Sequence, residues 1–232
     1  MHEKVKQLLK AAFAILLSGQ EETFNAIFTT LKVSTFSILL TLAAGIPLGF
    51  ILGYYSFPGK HACRAISDTL MAIPTVVVGL LIYAFISRSG PFGGLGLLFT
   101  LRGVAIGQFF LGLPVVVSLT ASATEQMEDS TRLTLMTLGA SPGQLAASSL
   151  WEGRYAVVAA AMTAYSRIIS EVGVSMMIGG NIKWRTRTIT TAIALETGKG
   201  QFAEGIALGI VLLSIAFIVN GAVSVARKRA TS

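Results

Sequence analysis

Five stretches of this sequence contain no Asp, Glu, Lys or Arg: Val33 to Gly59, Thr69 to Ser87, Gly103 to Thr124, Tyr155 to Ser166 and Gly205 to Ala226. An apolar helix needs about 20 residues to cross the hydrocarbon of a bilayer. Backbone amides find no water there, so only helices and closed barrels can cross. Barrel strands would alternate in polarity over roughly 10 residues, and these runs do not alternate. The chain is therefore read as an all-α integral membrane protein with five spans, at 31–55, 66–87, 104–124, 155–178 and 205–226. The fourth reaches spanning length only by including Arg167 and Glu171. Composition agrees: charged residues make up 12%, against about 25% in soluble domains.

Ahead of the spans, Val5, Leu8, Leu9, Ala12, Phe13 and Leu16 recur at helical spacing, with Lys4, Lys6 and Lys10 largely opposite. That pattern suits an amphipathic helix on the membrane surface. The Gly19-Gln20-Glu21-Glu22 run reads as its stop. A cleaved leader and a sixth short span are the rival readings. The expected organisation is an amphipathic segment over 1–26, a transmembrane domain over 27–226 and a basic tail over 227–232.

Inside the first span, Gly45, Gly49 and Gly53 stand four residues apart. Such spacing makes a small-residue groove that lets another helix approach closely. Pro47 removes one helical hydrogen bond from the same span. The second span contains Pro74, Thr75 and Gly79, and its proline frees a carbonyl that must face protein or a wet path. Pro74, Thr75 and Gly79 are thus candidates for the path or its gate. In the fourth span Arg167 and Glu171 are four residues apart, one face of a continuous helix. A lone charge at mid-bilayer costs roughly 2.5–3.5 kcal/mol, which pairing or a wet path relieves. Both readings stay open for these two residues.

The longest polar connection between spans runs from Glu125 to Arg154. Its helical patterning breaks at Gly139 and at Pro142-Gly143. A polar helix–turn–helix between spans serves to touch something outside the membrane, and the contact is expected at Met136 to Ser141. If this stretch and the C-terminus lie inside, lysines and arginines fall on both sides of the membrane, and charge alone does not fix orientation. The outside cations, Lys183, Arg185, Arg187 and Lys199 among them, then read as a funnel for an anion.

Catalytic chemistry has little to draw on. Cys63 is the single cysteine, so no intrachain disulfide can form, and the two histidines, His2 and His61, are far from a metal-ligand pattern. No phosphate-loop pattern occurs. No cofactor, metal or nucleic acid is expected, and the chain is read as no enzyme.

The stretch Met136-Thr137-Leu138-Gly139-Ala140-Ser141 resembles the Gly-centred half of the signature of ABC importer permeases, the membrane subunits of those importers. The Glu-Ala-Ala half is replaced by Leu133-Thr134-Leu135, and the Leu-Pro that tends to follow is Leu150-Trp151 here. Ile73 to Gly79 and Gly90 to Gly93 resemble the molybdate-type members. Ile169 to Gly173, Gly179 to Ile182 and Thr186 to Thr197 are closer still to the tungstate-specific branch. The resemblance implies the type I importer permease fold, in the cell (inner) membrane. It also implies a pathway shared with a second copy of the chain, two ATP-binding subunits and an extracytoplasmic anion-binding protein. The substrate implied is tungstate or molybdate. Another small anion such as sulfate, or a secondary anion carrier, is the alternative. Met136, Thr137, Leu138, Gly139, Ala140 and Ser141 would couple to the ATPase. Pro74, Thr75, Gly79, Arg167, Glu171 and Asn181 would line the path or gate. Arg185, Arg187 and Thr188 would attract the anion or dock its carrier outside.

Overall fold

The computed structural model describes residues 21–125 and 129–231, with Lys6, Lys10 and Ala14 as isolated helical positions before them. The amphipathic segment expected at 4–17, with its rival readings, lies largely outside the described residues. Ten α-helices account for most of what is described. They are α1 (Glu21–Tyr54), α2 (Lys60–Ala72), α3 (Thr75–Ile86), α4 (Leu101–Glu125), α5 (Asp129–Thr137), α6 (Pro142–Glu152), α7 (Arg154–Ile169), α8 (Gly173–Gly179), α9 (Ile189–Gly198) and α10 (Phe202–Thr231).

Helices α1, α4 and α10 are each long and apolar enough to cross a membrane. The pairs α2–α3 and α7–α8 meet that test only together, bent by 104° and 56°. Counting each bent pair as one crossing gives the five expected from the sequence. Two of them are not the continuous helices that the spans at 66–87 and 155–178 implied. Pro74 forces the first bend, because its ring cannot follow Ile73 in helical geometry and Ile73 is extended at ψ 132°. At the second, the backbone leaves the helix after Ile169 and resumes at Gly173.

Glu21 and Glu22 form the first turn of α1 rather than ending the helix before it. Acids there complement the positive end of the helix dipole. The residue 26/27 boundary therefore falls inside one helix, and residue 227 falls inside α10.

Helices α1 and α4 form the centre. Val33 meets Val104 and Ala105, and Gly45, Gly49 and Gly53 meet Val116, Thr120 and Thr124 in turn. Contacts advance together along both helices, so the two run parallel. A Cβ built on Gly49 would sit 2.6 Å from the Val117 carbonyl oxygen, and one on Gly53 2.6 Å from that of Ala121. The glycine groove expected from the sequence is thus filled by the backbone of α4. Around this pair, Ile38, Val115, Val116, Ala164 and Ile168 pack α7 against it. Ile86, Leu111, Val174 and Ile178 join α3 and α8 to α4. Ala26, Ile189, Ala192 and Leu208 join α9 and α10 to α1. Helix α9, too short to cross, is covered by its neighbours, with Thr190 and Thr191 buried.

Candidate coupling loop and translocation path

At the end of the molecule where α1 and α4 finish, α5 and α6 form the helix–turn–helix. Helix α5 closes with a left-handed Gly139 at φ 80°. The Gly139 amide donates to Met136 O at 3.0 Å and the Ala140 amide to Leu135 O at 3.0 Å, the paired bonds of a glycine-terminated helix. Ser141 then caps α6: its Oγ accepts from the Gln144 amide, and Gln144 Oε1 accepts from the Ser141 amide at 2.8 Å. Pro142 takes the first helical position, where its missing N–H is no loss. Pro142-Gly143 therefore starts α6 rather than breaking a helix. The turn exposes apolar side chains: Met136, Leu133 and above all Leu138, which is 78% exposed. Thr137 and Gly139 are exposed beside them, and Ala140 is half-buried. On α6, Trp151 is 70% exposed and the Arg154 guanidinium lies 4.7 Å from its ring centre.

The path candidates of α3 and α8 meet face to face. A Cβ on Gly79 would lie 3.2 Å from Val174 Cα, and one on Gly173 would lie 3.1 Å from Thr75 Oγ1. Pro74 precedes this contact as the cap of α3. Arg167 and Glu171 do not form the pair that a continuous helix would allow. Helix α7 ends between them, and buried Glu171 accepts the Val174 amide at 2.9 Å through Oε1. Glu171 thus holds the start of α8, and its backbone carbonyl accepts Thr190 Oγ1 at 2.7 Å. Arg167, half-buried in the last turn of α7, keeps a buried Nε without a partner. Among the described residues it has no carboxylate within ion-pair distance.

At the opposite end, residues 180–188 form a tight knot beside the start of α1. The Ile182 carbonyl accepts the amides of Arg185, Thr186 and Arg187. Asn181, at φ 50°, donates through Nδ2 to Thr191 O at 3.3 Å and accepts Arg187 Nε at 3.2 Å through Oδ1. Arg187 and Lys183 both pair with Glu22, and Lys199 pairs with Glu196 at 2.9 Å. Thr188 is buried and caps α9 through the Thr191 amide. Three of the four cations Lys183, Arg185, Arg187 and Lys199 are paired within the chain, two of them sharing the single Glu22 carboxylate. Of Arg185, Arg187 and Thr188, only Arg185 is exposed, and its side chain has no partner among the described residues.

Sequence reasoning passed over two groups. Glu22 was read as part of a helix stop, although acids ahead of an apolar run mark a helix start. Lys60, Arg64 and Glu125 were not singled out, yet Lys60 lies 3.2 Å and Arg64 3.8 Å from the Glu125 carboxylate. Their expected placement on one side of the membrane was the available signal.

Residues 45–231 match the binding-protein-dependent transport system inner membrane component family. The chain belongs to that family. This permease is 48% identical over 211 residues to the tungstate uptake system permease protein TupB of Campylobacter jejuni, covering 91% of this chain and 88% of that one. It is 35% identical to the TupB of Peptoclostridium acidaminophilum, covering 95% and 97%. Its fold matches a chain of the MetNI methionine ABC transporter in an inward-facing conformation, with a TM-score of 0.72, 16% identity and coverage of 91% and 96%. The all-helical type I importer permease fold expected from the sequence is the observed one. The permease is an inner-membrane component that crosses the membrane several times.

Proposed function

We propose that this permease carries tungstate into the cell, with molybdate the nearest competing substrate. The 48% identity to a tungstate permease along nearly the whole chain is the observation that carries this substrate. The permease works with a second copy of itself, which completes the pathway, and with two ATP-binding subunits. An extracytoplasmic protein delivers the anion. ATP is hydrolysed by the partner subunits, because this chain has no nucleotide-binding motif and performs no bond chemistry of its own. The membrane domain proposed over 27–226, after an N-terminal segment over 1–26, begins inside α1, and the basic tail over 227–232 begins inside α10.

Met136 to Ser141 dock on the ATP-binding subunit. Exposed Leu138 and Met136 support this: apolar side chains held in water on a rigid, capped turn suit burial against a partner. ATP binding draws the two ATP-binding subunits together, the docked loops follow, and the path opens outward. Hydrolysis then resets it. Pro74, Thr75 and Gly79 form the mobile wall of the path, where a bent span lies against α8. Arg167 supplies the charge that meets the anion, being a spanning cation without a carboxylate partner among the described residues. Glu171 and Asn181 keep the neighbouring backbone in place. Arg185 remains free to face the delivery protein, while Arg187 and Thr188 shape the loop that presents it.

The test is ATP-driven uptake by the reconstituted complex, with tungstate, molybdate and sulfate in competition. Tungstate uptake suppressed by molybdate and little affected by sulfate is the expected result. Preferred transport of sulfate refutes the substrate assignment. Uptake that proceeds without ATP refutes the importer reading in favour of a secondary carrier.

A further inference from the structure

Because α1 and α4 run parallel, their C-terminal ends finish side by side. Each end carries partial negative charge from its unpaired carbonyls, and Glu125 adds a full one. Helix α2 begins against this end. Lys60, in its first turn, donates to Gly53 O of α1 at 3.0 Å and lies 3.2 Å from Glu125 Oε1. One turn on, Arg64 donates to Ser118 O at 2.9 Å and to Ser122 Oγ, and lies 3.8 Å from Glu125 Oε2. A further turn on, Asp68 accepts Ser118 Oγ and sits 3.7 Å from Arg64 Nε.

Lys60 in the first turn opposes the dipole of α2 itself. Only Ser67 is buried on this helix. Met71 packs half-buried against the Ile38–Val115 cluster; the rest of the helix's attachment to α1 and α4 is by polar contacts, and Glu125 offsets the charge that α2 carries at its unfavourable end. Glu125 is also the first residue of the polar 125–154 stretch. Helix α2 leads through the 104° bend into α3, which lies against α8 at Gly79 and Gly173. Displacement of Glu125 thus acts on α2, and through the bend on α3.

We propose that Glu125, Lys60 and Arg64 form the ionic link that carries movement of the 125–154 stretch to the bent second span. They are positioning residues for transport and touch neither anion nor nucleotide. The link rests on the coupling role proposed above.

The test uses the complete complex in vesicles and compares tungstate uptake per ATP hydrolysed. Lys60→Met and Glu125→Gln are each expected to lower that ratio by about tenfold, the scale of coupling that residues outside both sites exert. The double variant is expected to do no worse than either single one, since the same contact is already broken. Lys60→Arg, which keeps the charge, restores most of the ratio. Should Glu125→Gln fail to assemble, the same ratio is read on Arg64→Lys, which keeps its charge but loses the two-pronged grip on Ser118 and Ser122; a partial loss is expected. A wild-type ratio in the variants, even with lowered thermal stability, overturns the link and leaves a structural contact. Losses that multiply in the double variant also overturn it. If the wild-type complex takes up none of tungstate, molybdate and sulfate, the transport reading itself falls, and the link with it.

Discussion

Replacing Gly49 with alanine tests the central helix pair most directly. The added methyl carbon would lie 2.6 Å from Val117 O, 2.7 Å from Thr120 Cβ and 3.1 Å from Val117 Cα. Carbon atoms prefer roughly 3.5–4.0 Å, so α4 must recede by nearly an ångström. Two of the three atoms belong to its backbone and cannot rotate away. Overpacking of this kind costs typically 1–3 kcal/mol, against which alanine gains about 0.5–1 kcal/mol of helix propensity. The net loss expected is about 1 kcal/mol, the centre of a range of about 0–2.5 kcal/mol. Gly53→Ala behaves alike, because its methyl would meet Ala121 O at 2.6 Å. Gly209, on α10, has nothing within 4 Å of its built Cβ, so Gly209→Ala gains about 0.5–1 kcal/mol instead. Equilibrium unfolding of the purified permease in mixed detergent micelles reads all three. If Gly49→Ala and Gly209→Ala shift stability in the same direction, the close α1–α4 contact is refuted.

Gly139→Val introduces a branched side chain at φ 80° with open space around it, so the strain is about 1–2 kcal/mol and confined to the turn. Membrane insertion is expected to stay normal while uptake per ATP falls; unchanged coupled uptake in vesicles counts against the docking role. Glu22→Gln leaves Lys183 and Arg187 without their shared carboxylate and is expected to cost about 1–2 kcal/mol, between the exposed and buried limits for ion pairs. Arg185→Gln is expected to leave stability within about 0.5 kcal/mol, since it removes no partner. Thermal unfolding of the two variants side by side distinguishes them.

Much of the architecture was legible because a bilayer imposes one requirement on every span, a long uncharged run. The glycine groove was legible too, because a four-residue spacing survives in any intact helix. Reasoning failed where it carried that regularity across a break. Arg167 and Glu171 share a face only if the helix continues, and no proline marks its end after Ile169. The loop at 180–188 misled for a different reason. Two of its three cations, Lys183 and Arg187, share Glu22, far away along the chain and close only once α1 is folded beside it. The turn at 136–141 fell between these cases. Gly139 was readable as a stop, whereas Pro142 was misread because a proline that ends one helix and one that opens another differ only in what precedes them. Here that is Ser141, whose side chain caps the helix.

The parallel pairing of α1 with α4 also sets a schedule for synthesis. The glycine face of the first span has no mate until Leu101 to Glu125 have left the ribosome. Residues emerge at roughly 5–20 per second, so that face waits for several seconds. During this interval α1 stands in lipid, or against the insertion machinery, with its groove open. The centre of the permease is therefore the contact that its first span must wait to make.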